Sequence, residues 1–506
     1  MNKNYSTMKH RVSLLLFVLF ATLSASTQAA RKNLIATEEG IPADGQTLGT
    51  AAIQRVIDKL SKDGGGQLRF TPGVYRTGCI VLKSGVELNF DRGATLSGST
   101  NPDDYRSLIA SEASDNSTMA LIVADGAKDI AITGSGLIDG NGRALALNID
   151  SLLNLPTPND PQGPKRRRRA NEPLRPKLFF VSNSSDIRIE GLNLRNSACW
   201  GLSFHSCERL RINDIQFENR AYWNNDGIDV TDCHDVIIRR CDINSADDGI
   251  CLKSYDTTSG NENILIEDCQ IRSSASAVKF GTASWGGFRN VTVRNIRVRD
   301  TFRSAIALEC VDGGTLEDIL VDGIHATNTG NPIFVRLGHR GGDTTGVARH
   351  ITIRNVFVEM AFGIPDIDYD LRGPGFSVNN PRPSSITGIP GHPVQDILLE
   401  NVELIYPGRA SKGIYYYPLS QIHQVPEQEG SYPEFSMFGE LPSWGFYVRH
   451  VQGITMKNVR LTLKDEDFRP ALIFDDVHKI RLTDLSLPQR LSGQPYYLRE
   501  SDFAEE

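Results

Sequence analysis

An eight-residue pattern recurs along the chain: apolar, x, apolar, x, x, apolar or Cys, x, apolar. It reads IRIEGLNL from Ile187, LRINDIQF from Leu210, VIIRRCDI from Val236, ILIEDCQI from Ile264, VTVRNIRV from Val291 and ILVDGIHA from Ile319. Further copies begin at Ile351, Ile397, Ile454 and Ile480, and a degenerate copy at Ile130. The first six starts lie 23, 26, 28, 27 and 28 residues apart. Each copy alternates at period two around a polar kink that often contains Asn, Asp or Gly, so its apolar residues share one face. One unit alone cannot bury that face. Stacked units bury it in a continuous interior, with hydrogen bonds running along the stack. The expected fold is an all-β parallel solenoid, about one coil per 23 to 28 residues.

The register opens at 141–176, 360–395 and 406–450, which read as long loop insertions between coils. In repeat folds such insertions collect on one face, often the binding face. Residues 47–62 form the one strongly amphipathic helix, with Ile53, Val56, Ile57 and Leu60 on one face and a Gly triplet at 64–66 to end it. It is expected to cap the open N-terminal end of the stack, where strand edges need cover. This divides the chain into a leader (1–30), a cap with the first coils (31–128), a β-helix body (129–490) and a C-terminal tail (491–506).

Lys3, Lys9 and Arg11 precede the apolar run Val12–Leu23, and small and polar residues follow. That is the pattern of a secretory leader, with cleavage expected near Ala29 or Ala30 and a secreted or periplasmic product. The run is too short to span a bilayer. Removing the three basic residues of 1–29 takes the formal charge from −7 to −10. Such an acidic protein is poorly suited to nucleic acid or anionic membrane, and neither nucleic-acid binding nor membrane insertion is expected. The run Lys165–Arg169 sits inside the first insertion and reads as a solvated loop or a polyanion contact. The eight cysteines include no CxxC pair, so no zinc is expected. Several fall in apolar slots of the repeat, as buried thiols do.

Two acidic motifs stand out: NNDGID at Asn224–Asp229 and ADDGI at Ala246–Ile250. Asp226 and Asp247 are 21 residues apart, close to one coil, so Asp226, Asp247 and Asp248 should meet on adjacent rungs about 4.8 Å apart. Crowded carboxylates raise the pKa of at least one member. A carboxylic acid held protonated beside an ionised one is what glycoside hydrolysis requires. Asp-Gly and Asn-Asp pairs are also ordinary turn formers. A calcium site would need more oxygen ligands than the motifs supply. No metal or cofactor is expected.

These motifs carry a resemblance. NNDGIDV and SADDGICLKS are similar to the paired aspartate motifs of the polygalacturonases, glycoside hydrolase family 28. The run from ADGQTL to LSGS, residues 43–99, resembles the family's N-terminal segment. The chain is identified as a divergent bacterial branch of that family over roughly 35–490, outside the insertions. The resemblance implies a single-stranded right-handed parallel β-helix, hydrolysis of a pectic polysaccharide and inversion of configuration. By position it implies Asp247 as general acid, Asp226 and Asp248 as holders of the attacking water, and Asn224 as an orienting residue.

The recognition positions depart from the family. Its histidine position falls at Ser276, and its Arg-Ile-Lys positions fall near Ala307 to Glu309. Branches cutting rhamnogalacturonan are similar in lacking the histidine. Lys253, Lys279 and Glu309 are therefore taken, together with Asn224, as substrate-binding candidates, and Arg303, Arg336 and Arg340 as further cations. Trp200, Tyr222, Trp223 and Tyr255 suit either a sugar face or a packed turn. Long insertions wall off grooves, which suggests exo action. Two other readings stay open: a polysaccharide lyase, which needs calcium and a basic proton acceptor, and a non-catalytic glycan-binding β-helix.

Overall fold

The apolar starts of the repeat copies come into direct register. Ile130 pairs with Ile187, and the ladder continues through Leu210, Val236, Ile264, Val291, Ile319, Ile351, Ile397, Ile454 and Ile480, every pairing parallel. This is a computed structural model; it describes residues 32–107, 117–153, 169–366, 368, 381–413, 417–488 and 495–505. The leader and Lys165–Arg168 lie outside the described residues.

The kinks follow from backbone geometry. In eight successive copies the fifth residue has a positive φ: Gly191, Asp214, Arg240, Asp268, Asn295, Gly323, Asn355 and Asn401, at 52° to 82°. Gly and Asn enter this left-handed region most readily, which explains the polar kink. The asparagines also bond along the stack: Asn401 Nδ2 donates to Asn355 Oδ1 at 3.0 Å and Asn458 Nδ2 to Asn401 Oδ1 at 2.9 Å.

Each coil has a third strand that the eight-residue pattern does not contain. It forms its own ladder: Phe179, Leu202, Ile228, Ile250, Val278, Ile306 and Ile333 in one column, and Phe180, Ser203, Asp229, Cys251, Lys279, Ala307 and Phe334 in the next. Both columns are buried. The first belongs to the main core. In the second, Ala307 and Phe334 join a separate cluster with Ile422, Val425, Phe435 and Phe438 from the last insertion. A strand buried on both faces loses its alternation. For that reason the insertions are narrower than expected: 360–395 contains strand Ser384–Thr387, and 406–450 contains the start of strand Phe446–Leu463. The expected tail likewise contributes a rung, because Tyr496–Arg499 pairs with Leu472–Asp475.

The helix spans Thr50–Lys62, later than its expected start because Asp44–Leu48 is a strand. Ile53, Val56, Ile57 and Leu60 are buried against the first coils. Gly65 follows it at φ +106°, where a Cβ would stand 2.7 Å from the Gly85 carbonyl. A second helix, Gly142–Leu152, lies in the first insertion. Among the described residues no helix is long and apolar enough to cross a membrane. Seven cysteines are buried, Cys79 is half-buried, and all eight are free thiols.

Candidate active site

The two acidic motifs occupy equivalent turns of adjacent coils. Asp226 precedes strand Ile228–Thr231, and Asp247 and Asp248 precede strand Ile250–Ser254, with Ile228 paired to Ile250. The glycine in each motif is demanded by space. A Cβ on Gly227 would lie 2.3 Å from the Gly249 carbonyl, and one on Gly249 would lie 2.6 Å from that of Ala277. The Asp-Gly pairs are thus coil corners, as turn chemistry suggests, and they also bring the carboxylates together. One oxygen from each of Asp226, Asp247 and Asp248 lies within 4.8 Å of the other two. This is tighter than the separation of about 6.5–9.5 Å expected of an inverting acid–base pair. The same trio could hold a cation, but lysines already supply positive charge there.

A buried asparagine pair fixes the first turn. Asn225 Nδ2 donates to Ser197 O at 2.7 Å and Cys199 O at 2.8 Å, and its Oδ1 accepts from Tyr222 N–H at 2.8 Å. The Asn225 carbonyl accepts the N–H groups of Ala246 and Asp247, so it links the two motifs. Asn219 Nδ2 donates to the Asp226 carbonyl at 2.7 Å. Neither asparagine was a sequence candidate; a buried Asn inside NNDGID was the available signal. Asn224, at φ 61°, donates to Asp226 Oδ1 at 3.4 Å. On the second turn, Ser245 and Ser273 hydroxyls both donate to the Asp247 carbonyl, at 2.7 and 2.6 Å.

Each lysine candidate is tied to an aspartate. Lys253 Nζ sits 3.3 Å from Asp226 Oδ2, contacts Asp229 more closely, and lies 3.8 Å from the Trp200 ring centroid. Lys279 Nζ lies 3.1 Å from Asp248 Oδ2 and donates to Tyr432 Oη at 3.1 Å. Both lysines are buried, so they act on the aspartates directly. Burial works against the Lys253 charge, but Asp229, Cys251 and Asp226 outweigh it and hold the ammonium well above the usual range. The same contest, with Asp248 and Tyr432 as partners, raises Lys279.

The carboxylates respond in opposite directions. Burial, then the charge of Asp229, pushes Asp226 well above the ordinary carboxylate range against the pull of Lys253. Burial would raise Asp248 too, but Lys279, Arg303, Lys253 and the Ser276 N–H pull it below that range. The Ser276 N–H donates to Asp248 Oδ1 at 3.0 Å. Asp247 is the most exposed of the three and accepts the Asp248 N–H at 3.1 Å.

The other candidates divide. Glu309 is buried beside this cluster, accepts the Thr282 hydroxyl at 3.4 Å, and is pushed by burial to about 8. Arg303 pairs with Glu434 at 2.8 Å. Arg336 is spent on main-chain carbonyls of Gly388 and Glu427, and Arg340 on Asp312. Tyr222 is buried against Asp150, and Trp200 is packed between Lys253 and Lys177, so both are structural aromatics rather than open sugar faces. Glu434 and Tyr432 escaped sequence reading because they reach the site from an insertion more than 150 residues beyond Lys279.

A sequence profile decides the family. That of glycosyl hydrolases family 28 matches residues 71–419, more than half of the chain. The chain belongs to glycosyl hydrolases family 28. Within the family it is 24% identical over 335 residues to an exo-poly-alpha-D-galacturonosidase of Dickeya chrysanthemi, covering 58% of this chain and 55% of that protein. It is 25% identical over 401 residues to a probable polygalacturonase of Vitis vinifera, covering 73% of each. Among solved structures, the exopolygalacturonase of Thermotoga maritima superposes with a TM-score of 0.62 at 21% identity, over 86% of this chain and 93% of that one. A family 28 exopolygalacturonase of Yersinia enterocolitica gives 0.56 at 19%, over 94% and 78%. At these identities the likeness is one of fold.

Proposed function

We propose that this family 28 chain is a glycoside hydrolase of galacturonate-containing pectic polysaccharide, working on a right-handed parallel β-helix. The observation that carries the reading is the carboxylate trio, with one oxygen of each residue within 4.8 Å of the others and the acids pushed in opposite directions. A proton held within such a cluster belongs to the group as a whole. Asp247, the least buried member, delivers it to the leaving oxygen. Asp248, kept ionised by Lys279, acts with Asp226 on the attacking water. A lyase would need a free basic group, whereas Lys253 and Lys279 are both ion-paired.

The short spacing favours a second reading, direct attack by Asp226 or Asp248 with retention. Against it, Asp226 leans towards its protonated form. Both oxygens of Asp248 are occupied, by the Ser276 N–H and by Lys279. Each Asp248 oxygen keeps a second lone pair for a water hydrogen, so these contacts leave it able to act on water, and inversion, which the family resemblance implies, is the proposed outcome. Proton NMR of the first-formed product should show the anomer opposite to that of the cleaved bond; the same anomer would assign a covalent intermediate. Exo action is proposed from the insertion that carries Tyr432 and Glu434 over the site, and from the exo-acting relatives. The product profile tests it: short, uniform products are expected, and mixed long oligomers released from mid-chain would overturn it. Export by the leader would place the enzyme with its polymer, so the mature chain should begin near Ala30 or Arg31 on amino-terminal sequencing.

A further inference from the structure

The charges on the C-terminal side of Asp248 are already matched among themselves. Lys279 lies 3.1 Å from Asp248, and Arg303 lies 2.8 Å from Glu434. Glu309 occupies the position beside Lys279 with no cation within ion-pair distance among the described residues, and the hydrogen bond its side chain accepts from Thr282 is long at 3.4 Å. Both cations here, Lys279 and Arg303, thus already face a buried carboxylate, Asp248 and Glu434 respectively. A uronate carboxylate brought here would compete with a buried carboxylate for either cation. Like charges juxtaposed in a desolvated site are strongly unfavourable. A hydroxyl-bearing ring meets no such conflict. Glu309 can accept or donate to a hydroxyl, and Tyr432, half exposed, offers an aromatic face.

We propose that the sugar ring seated against Lys279, Arg303, Glu309 and Tyr432 is uncharged, either a neutral sugar or an esterified uronate. This rests on the hydrolase reading above and names the substrate class of that site. The test compares kcat/KM on three probes: unesterified oligogalacturonate, its methyl ester, and an oligosaccharide alternating galacturonate with rhamnose. The wild-type enzyme should cleave at least one of the last two about tenfold faster than the first. Which one is preferred identifies the source of the uncharged ring. Glu434→Gln, which removes the charge paired with Arg303, and Glu309→Lys, which adds a cation, should each raise kcat/KM on unesterified oligogalacturonate about tenfold. If either variant fails to fold, the wild-type comparison decides alone. Equal or faster cleavage of unesterified oligogalacturonate by the wild type overturns the inference and leaves the hydrolase reading standing. No cleavage of any probe overturns both.

Discussion

Asp226→Asn is expected to cut turnover by orders of magnitude and to raise the melting temperature. The two effects have one cause. Asp226 is buried beside Asp229, with Asp247 and Asp248 adding further negative charge, and its carboxyl is pushed well above the usual range. A carboxylate raised by folding binds more protons in the folded than in the unfolded state. Its destabilising contribution is absent below the unfolded value of about 3.9 and grows as pH rises towards the folded value. Asn has nearly the same shape and no charge. The hydrogen bonds that fix this turn go to the Asp226 main-chain carbonyl and survive the change. Lys253 keeps Asp229. A stability gain of about 1 kcal/mol is expected at pH 7, shrinking towards pH 4, with a loss of about 10²–10⁴-fold in kcat. Thermal melts across that pH range, paired with reducing-sugar release, check both halves. Near-wild-type turnover in Asp226→Asn would remove Asp226 from the chemistry. A lower melting temperature at pH 7 would mean that its charge is stabilised in place.

Much of this was legible in sequence, and the parts that were not share a physical reason. The two-strand pattern carries alternation because one of its faces meets water, so its copies align residue for residue, from Ile130 to Ile480. The third strand is buried on both faces, and IDVT or ICLKS does not announce a strand of that kind. The candidate site lies on that strand and in the turn that leads into it. Asp226, Asp247 and Asp248 were readable because the coil period converts a spacing of 21 residues into adjacency. Lys253 and Lys279 were readable as nearby cations, but not as partners of particular aspartates. That pairing depends on which side chains face out of a strand whose faces sequence cannot distinguish. Glu434 and Tyr432 arrive on a loop with no repeat, and no local pattern predicts where such a loop lands. Asp229 shares NNDGID with Asp226, and the motif does not tell which way either side chain faces; the column Ser203, Asp229, Cys251, Lys279 and the Lys253 contact place Asp229 at the site.

Asp229 matters because it shares Lys253 with Asp226, and Lys253→Met should be the most damaging single change in the site. Met fills similar volume beside Trp200 but leaves two buried carboxylates without their cation. Removing one partner of a buried pair typically destabilises by about 3–5 kcal/mol. The carboxylates can limit that loss by taking up protons, since a buried isolated charge neutralises rather than persists. Both already lean that way, Asp226 by burial and Asp229, and Asp229 itself by burial against the pull of Lys253. In the variant their folded pKa values rise further, so stability should fall more steeply with pH than in the wild type. The deficit should be small near pH 4, where the unfolded carboxyls are protonated too, and largest by pH 8. Adding Asp229→Asn should restore part of the stability by removing one orphaned charge. It should not restore turnover, because Asp226 would still lack the ammonium that sets its ionisation. Denaturation midpoints for the single and double variants at pH 5 and pH 8 make the comparison. A pH-independent deficit would reduce Lys253 to a packing residue, and recovered turnover in the double variant would transfer its role to Asp229.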